Sequence, residues 1–152
     1  VSDKQYANNR KAFHDYHILE TVEAGLVLTG TEVKSVREGR ISLREAYVRV
    51  ERGEAWLLGA HIAHYAQGNR YNHEPVRPRK LLLHRDQIAH LAGKVQEGGM
   101  TIVPLRVYDR RGHVKVEVGL ARGKKLWDKR QSLAKREAAR EIDRAVKELS
   151  RA

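Results

Sequence analysis

The sequence contains no cysteine, which excludes a disulfide framework, thiolate metal centres and thiol catalysis. It has three prolines, one phenylalanine and one methionine, and its acidic residues are a minority, 19 Asp and Glu against 30 Lys and Arg. No apolar run approaches the ~20 residues of a membrane helix, so a membrane span is not expected. Residues 1–10 carry no apolar stretch of the secretory kind, and together with the missing cysteines this gives a cytoplasmic expectation. The start at Val1 rather than Met leaves open what precedes it.

What is present is a 152-residue chain, 41% hydrophobic, with a net charge of +11. That length supports one modest core, hence one domain with tails. Any single Lys or Arg is best read as solvated surface. An excess of this size over so short a chain repels itself without a polyanion, which makes nucleic acid the favoured partner class.

Asp15 to Thr29 mixes β-branched and apolar residues around Gly25, as a strand that bends or bulges midway would. Thr31 is placed to cap a short helix over TEVKSVRE, stopped by Gly39, with Lys34 and Arg37 on a solvated face. Ala46 to Ile62 reads as a hairpin turning at Arg52-Gly53. Ala66 to Arg79 lacks any period and is predicted to be a long loop whose basic residues and Tyr71 point to RNA. Lys80 to His84 reads as a short buried strand, and Ile88, Leu91, Ala92 and Val95 recur at helical spacing before Gly98-Gly99. Val103, Leu105 and Val107, then Val114, Val116, Val118 and Leu120, alternate in a second hairpin joined by Arg110-Arg111-Gly112. The prediction is a mainly β fold, an OB-like antiparallel barrel of about six strands with two or three short helices, over residues 1–121.

Residues 122–152 differ in composition, with eleven Lys or Arg against five Asp or Glu. The stripe Leu133, Ala138, Ile142, Val146 and Leu149 is helical in spacing but too narrow to hold a helix on a core. This basic C-terminal tail is expected to be disordered alone and helical on a partner.

Catalytic and metal patterns are weak. The pairs His14/His17 and His61/His64 have His-x-x-His spacing, but on a strand residues three apart face opposite ways, and no ligand set completes them, so they read as surface or RNA-facing histidines. GLARGKK at Gly119 to Lys125 falls short of a phosphate loop: three residues rather than four separate the glycines, and Lys125 stands where a magnesium-binding hydroxyl belongs. Its two glycines beside Arg122, Lys124 and Lys125 still suit close approach to RNA phosphate. No serine sits on a strained nucleophile elbow. A binding protein without cofactor or metal is expected, not an enzyme.

Five motifs in order, NRKAFHDY (9–16), EAGLVLTGTEVKSVREGR (23–40), GNRYNH (68–73), RKLLLH (79–84) and GLARGKKLWDKR (119–130), resemble those of the SmpB family, the SsrA-binding proteins. The resemblance spans nearly the whole chain. It implies an OB-like barrel that binds the tRNA-like domain of transfer-messenger RNA (tmRNA, SsrA RNA) and, with elongation factor Tu carrying alanyl-tmRNA, reaches ribosomes stalled on mRNA without a stop codon. It implies RNA contact at Glu23, Leu82 and His84, with Asn9, Arg10, Lys11, His14, Lys34, Gly68, Asn69, Arg70 and Lys80 nearby and Arg122, Lys124 and Lys125 on phosphate. A carboxylate at 23 can accept from base edges, and Leu82 offers an apolar face to an unstacked base. The resemblance also places Trp127, Asp128, Lys129 and Arg130 in the decoding centre of the small subunit, against 16S rRNA, with the following residues helical along the empty mRNA path. A monomer is expected.

The chain departs from the family pattern at three positions. Phe13 stands where a basic residue is frequent, and stacking on a base is favoured slightly over a place in the core. His84 replaces an asparagine, and Trp127 a histidine. Two rival readings are a generic OB-type ribosomal or ribosome-assembly protein and an RNA-processing enzyme using His and Asp.

Overall fold

Strand hydrogen bonding, more than helix packing, organises this chain. The computed structural model describes residues 4–66 and 72–124, together with Arg140, Arg144 and Lys147, which are helical and exposed. The order is β1 (Gln5–Asn8), α1 (Arg10–Asp15), β2 (Tyr16–Leu26), α2 (Gly30–Arg37), β3 (Ile41–Ser42), β4 (Tyr47–Glu51), β5 (Glu54–Leu58), β6 (His61–Ile62), β7 (Arg79–Leu82), α3 (Arg85–Gln96), β8 (Thr101–Arg110) and β9 (His113–Gly123). Six of these strands close a ring, β8-β4-β5-β7-β2-β9 with β9 returning to β8, and every pairing is antiparallel. This is the expected mainly β barrel. β1 extends β8 on its other side, and β3 and β6 form a separate two-stranded ribbon.

Both predicted hairpins form, turning at Arg52-Gly53 and Arg111-Gly112 with positive φ at all four residues, the backbone that matches strand twist. Val114, Val116, Val118 and Leu120 all point inward at period two. On β8 that period breaks. Pro104 faces Val118 and Arg106 faces Glu117, leaving Leu105 as an extra residue. The expected common face of Val103, Leu105 and Val107 is therefore split: Val107 enters the main core, while Val103 and Leu105 pack with Ala12 and Ala121 in a second cluster beneath α1.

Two further expectations are corrected. The bulge in β2 lies at Leu19, between Ile18 and Glu20, rather than at Gly25, which is regularly paired with Lys115 and Leu82. The α2 cap is Thr29, not Thr31: Thr29 Oγ1 accepts from the Glu32 amide and Glu32 Oε1 accepts from the Thr29 amide, a reciprocal box. The basic residues at the end of the loop, Arg77 and Arg79, turn inward to Glu32 instead of facing solvent.

Glu32 and Arg79 have no exposed surface. Glu32 Oε2 accepts from Arg79 Nε at 2.7 Å and Arg77 Nε at 2.9 Å, and Arg79 also donates to the carbonyls of Ala60, Glu74 and Pro75. Burial alone would raise the Glu32 carboxyl, but hydrogen bonds from Arg77, the Thr29 amide and Arg79 outweigh it and hold the group below the ordinary carboxylate range. His73 is buried beside this pair, with Nε2 2.9 Å from the Ile62 carbonyl and Nδ1 2.8 Å from Thr31 Oγ1. It is a structural histidine.

Candidate nucleic-acid interface

Alternation along β2 and β7 creates the site. On β2, Ala24 and Leu26 point into the core and Glu23 and Gly25 outward; on β7, Arg79 and Leu81 point in and Lys80 and Leu82 out. Leu82 is 56% exposed, so the expected buried strand hides only one of its faces. A Cβ at Gly25 would lie 3.1 Å from Leu82 Cβ, so the missing side chain lets Leu82 rest close on β2. The chain then turns into α3, where the His84 amide donates to Gln87 Oε1 at 3.0 Å and the imidazole stays exposed.

Glu23, Lys80, Leu82 and His84 thus line one open groove of about 720 Å³. Arg85 from α3 and Arg110, Arg111 and Lys115 from the β8–β9 hairpin complete its rim. Arg110 Nη1 donates to Glu23 Oε2 at 2.7 Å, and Lys80 Nζ lies 3.5 Å from Glu54 Oε1. Glu23 Oε1 is buried and has no hydrogen-bond partner among the described residues. The groove offers exposed apolar surface, two acceptor-only carboxylates, Glu23 and Glu54, and a cationic rim, the complement of an unstacked base and its phosphates.

The N-terminal residues lie elsewhere. Tyr16 to Glu23 is seven strand steps, about 23 Å at ~3.3 Å each, so α1 sits at the opposite end of β2. There Arg10, Lys11 and Arg44 line a second cleft of about 490 Å³, and His14 is exposed against Asp15. Lys124, at the end of β9, donates to the Phe13 carbonyl, and Arg122, half-buried, pairs with His17 in the sheet. Lys34 is on neither surface; it stands over the Tyr65 ring at 5.3 Å.

Two candidate positions prove internal and a third is partly buried. Asn9 is 5% exposed and caps α1, its Oδ1 accepting from the Ala12 amide and its Nδ2 donating to the carbonyls of Leu43 and Pro104, so its amide is engaged within the fold. Phe13 is partly buried against the second cluster with the Arg106 guanidinium 5.0 Å above its ring, the place by the core that was the alternative to base stacking. Gly119 is buried where a Cβ would meet Leu105 Cδ1 at 2.8 Å and Ile18 Cγ2 at 3.3 Å, so it serves core packing and not phosphate approach. Gly68, Asn69, Arg70, Tyr71, Lys125, Trp127, Asp128, Lys129 and Arg130 lie outside the described residues.

Sequence reading missed Arg85, Arg110, Arg111 and Lys115. Their signal was only that of strand, turn and helix-end cations; β2, β7 and β9 must be paired before they surround Leu82. Among the described residues no three His, Asp or Glu side chains gather as metal ligands.

The sequence model of the family described as "SmpB protein" matches residues 6–148. The chain belongs to the SmpB protein family. It is 60% identical over 150 residues to the SsrA-binding protein of Roseiflexus castenholzii, covering 98% of this chain and 95% of that one. It is 57% identical over 145 residues to that of Carboxydothermus hydrogenoformans, covering 95% and 97%. A chain from a solved structure described as "tmRNA-SmpB: a journey to the center of the bacterial ribosome" superposes with a TM-score of 0.66 at 50% identity, covering 78% of this chain and 83% of that one.

Proposed function

We propose that this protein binds the tRNA-like domain of tmRNA through the Glu23–Leu82–His84 groove and acts with it in trans-translation on stalled ribosomes. The observation that carries the reading is the exposed Leu82 beside the Glu23 carboxylate, ringed by Lys80, Arg85, Arg110, Arg111 and Lys115, in a chain whose relatives are named SsrA-binding proteins. Phosphate contacts supply affinity, and Leu82 with Glu23 discriminates an unstacked base. A binding role, not a catalytic one, is assigned, with a cytoplasmic setting; no helix among the described residues is long and apolar enough to cross a membrane.

Arg10, Lys11 and Arg44, at the other end of the barrel, supply a second cationic surface, and residues 122–152 carry the decoding-centre function, with Trp127, Asp128, Lys129 and Arg130 taking the place of the anticodon arm that tmRNA lacks. Elongation factor Tu enters through alanyl-tmRNA. The test is binding of the tRNA-like domain of tmRNA against an ordinary tRNA in equal salt. Tighter binding to the first is expected; equal affinities reject the reading. RNA cleavage that tracks a histidine substitution would instead favour the enzyme.

A further inference from the structure

The tip of the β8–β9 hairpin brings Arg110 and Arg111 to the groove, and it is held from behind by two elements, β1 and α2, that supply none of the groove's cationic rim. β1 is bulged between Gln5 and Ala7, so Tyr6 is the extra residue there, and such a bulge re-aims the side chain it carries. Tyr6 Oη donates to Asp109 Oδ2, and the Asp109 amide donates to the Lys4 carbonyl at 2.8 Å. From the last turn of α2, Arg37 Nη2 donates to the Gly112 carbonyl at 3.1 Å, with Arg37 Nε 3.8 Å from Asp109 Oδ2. Burial and the Asp109 carboxylate both raise the Tyr6 pKa, so the phenol remains a donor through the neutral range. Asp109 immediately precedes Arg110, and Gly112 immediately follows Arg111.

We infer that Tyr6, Arg37 and Asp109 form a clamp that sets the hairpin tip and so positions Arg110 and Arg111 for RNA phosphate. They are positioning residues for RNA binding, acting through the two arginines without touching the ligand. A two-residue turn held only by its own ladder would let the backbone that carries both arginines shift; three bonds from β1 and α2 fix that backbone before binding, which lowers the ordering cost at contact. The inference rests on the groove being the RNA site.

The test uses the full chain and a transcript of the tRNA-like domain of tmRNA, with affinity measured across a salt series and thermal midpoint measured in parallel. Tyr6→Phe removes one hydroxyl and keeps the ring. It is expected to weaken binding about 3- to 10-fold and to reduce the slope of log affinity against log salt by about one, the loss of one phosphate contact. In an Arg110→Ala/Arg111→Ala background, Tyr6→Phe is expected to change affinity less than about 2-fold, because the side chains it positions are gone. Combined with Arg85→Ala, which the clamp does not touch, its effect is expected to multiply in full. A lower thermal midpoint with unchanged affinity and slope, or an undiminished effect in the Arg110→Ala/Arg111→Ala background, overturns the clamp. If Arg110→Ala/Arg111→Ala itself leaves affinity unchanged, the groove reading fails along with it.

Discussion

Replacing Glu32 by Gln removes one charge from a pair with no solvent access and leaves the shape nearly intact. Arg79 is then a buried guanidinium facing neutral acceptors, and breaking a buried pair in this way costs about 3–5 kcal/mol. Against a total stability of roughly 5–15 kcal/mol this is a large fraction. With an unfolding entropy of about 2.1 cal/mol/K per residue over a barrel of about 120 residues, the thermal midpoint should fall by about 12–20 °C. The comparison is Lys11→Ala, which breaks an exposed pair 3.5 Å from Glu45 and should cost less than about 1 kcal/mol. The pH dependence fixes the cause. Glu32 has a depressed folded pKa, so its contribution is complete above the ordinary carboxylate pKa of about 4.3 and is lost as pH falls through the lower folded value. The gap between wild type and Glu32→Gln in chemical denaturation should therefore be constant near neutrality and close in acid. A loss below about 1 kcal/mol, or a gap that does not narrow in acid, refutes the argument.

Leu82→Ala should weaken binding to the tRNA-like domain of tmRNA about 10-fold while stability changes by under ~0.5 kcal/mol, because the side chain is mostly exposed; binding and melting measured together check both. Gly119→Ala forces a methyl against Leu105 and Ile18 and should destabilise by about 1–3 kcal/mol in urea titration, without a change in the salt dependence of RNA binding. Asn9→Ala loses the α1 cap and leaves two buried carbonyls without their donor, for about 1–3 kcal/mol in the same assay; the folded variant should bind RNA as wild type does.

The strands were legible because their side chains obey one physical rule. Val114, Val116, Val118 and Leu120 face a core on one side and β9 shows it at period two. α3 was legible for the matching reason at helical period. α1 was not, since six residues carry too little periodicity, and the cluster it covers is made by a bulge at Leu105 that no local pattern announces. Charge was the least legible property. Arg77 and Arg79 read as loop cations, yet Glu32 lies 45 and 47 residues away in sequence and only the fold brings it to them. Asn9 was named through the family resemblance, and only the fold shows its three partners, at Ala12, Leu43 and Pro104. Leu82 was recognised through the family resemblance; period alone had placed it in the core.

The net charge of +11 therefore overstates what the barrel offers to an RNA at the groove. Arg77 and Arg79 are committed to Glu32, Arg37 to the hairpin tip, and Arg106 to Glu117 at 2.6 Å and the Phe13 ring. At the groove rim, Lys80 faces Glu54 and Arg110 faces Glu23, while Arg85, Arg111 and Lys115 have no ion pair among the described residues. Counterion release then predicts which substitutions alter salt dependence. Each phosphate contact contributes about 0.7–0.9 to the slope of log affinity against log salt, so Arg85→Ala/Lys115→Ala should flatten it by about 1.4–1.8. Lys94→Ala, on α3 beside Glu97 and away from the groove lining, removes the same charge per site and should leave the slope unchanged. If Lys94→Ala flattened it equally, the RNA would be responding to overall charge, and the placement of cations around Leu82 would have no part in recognition.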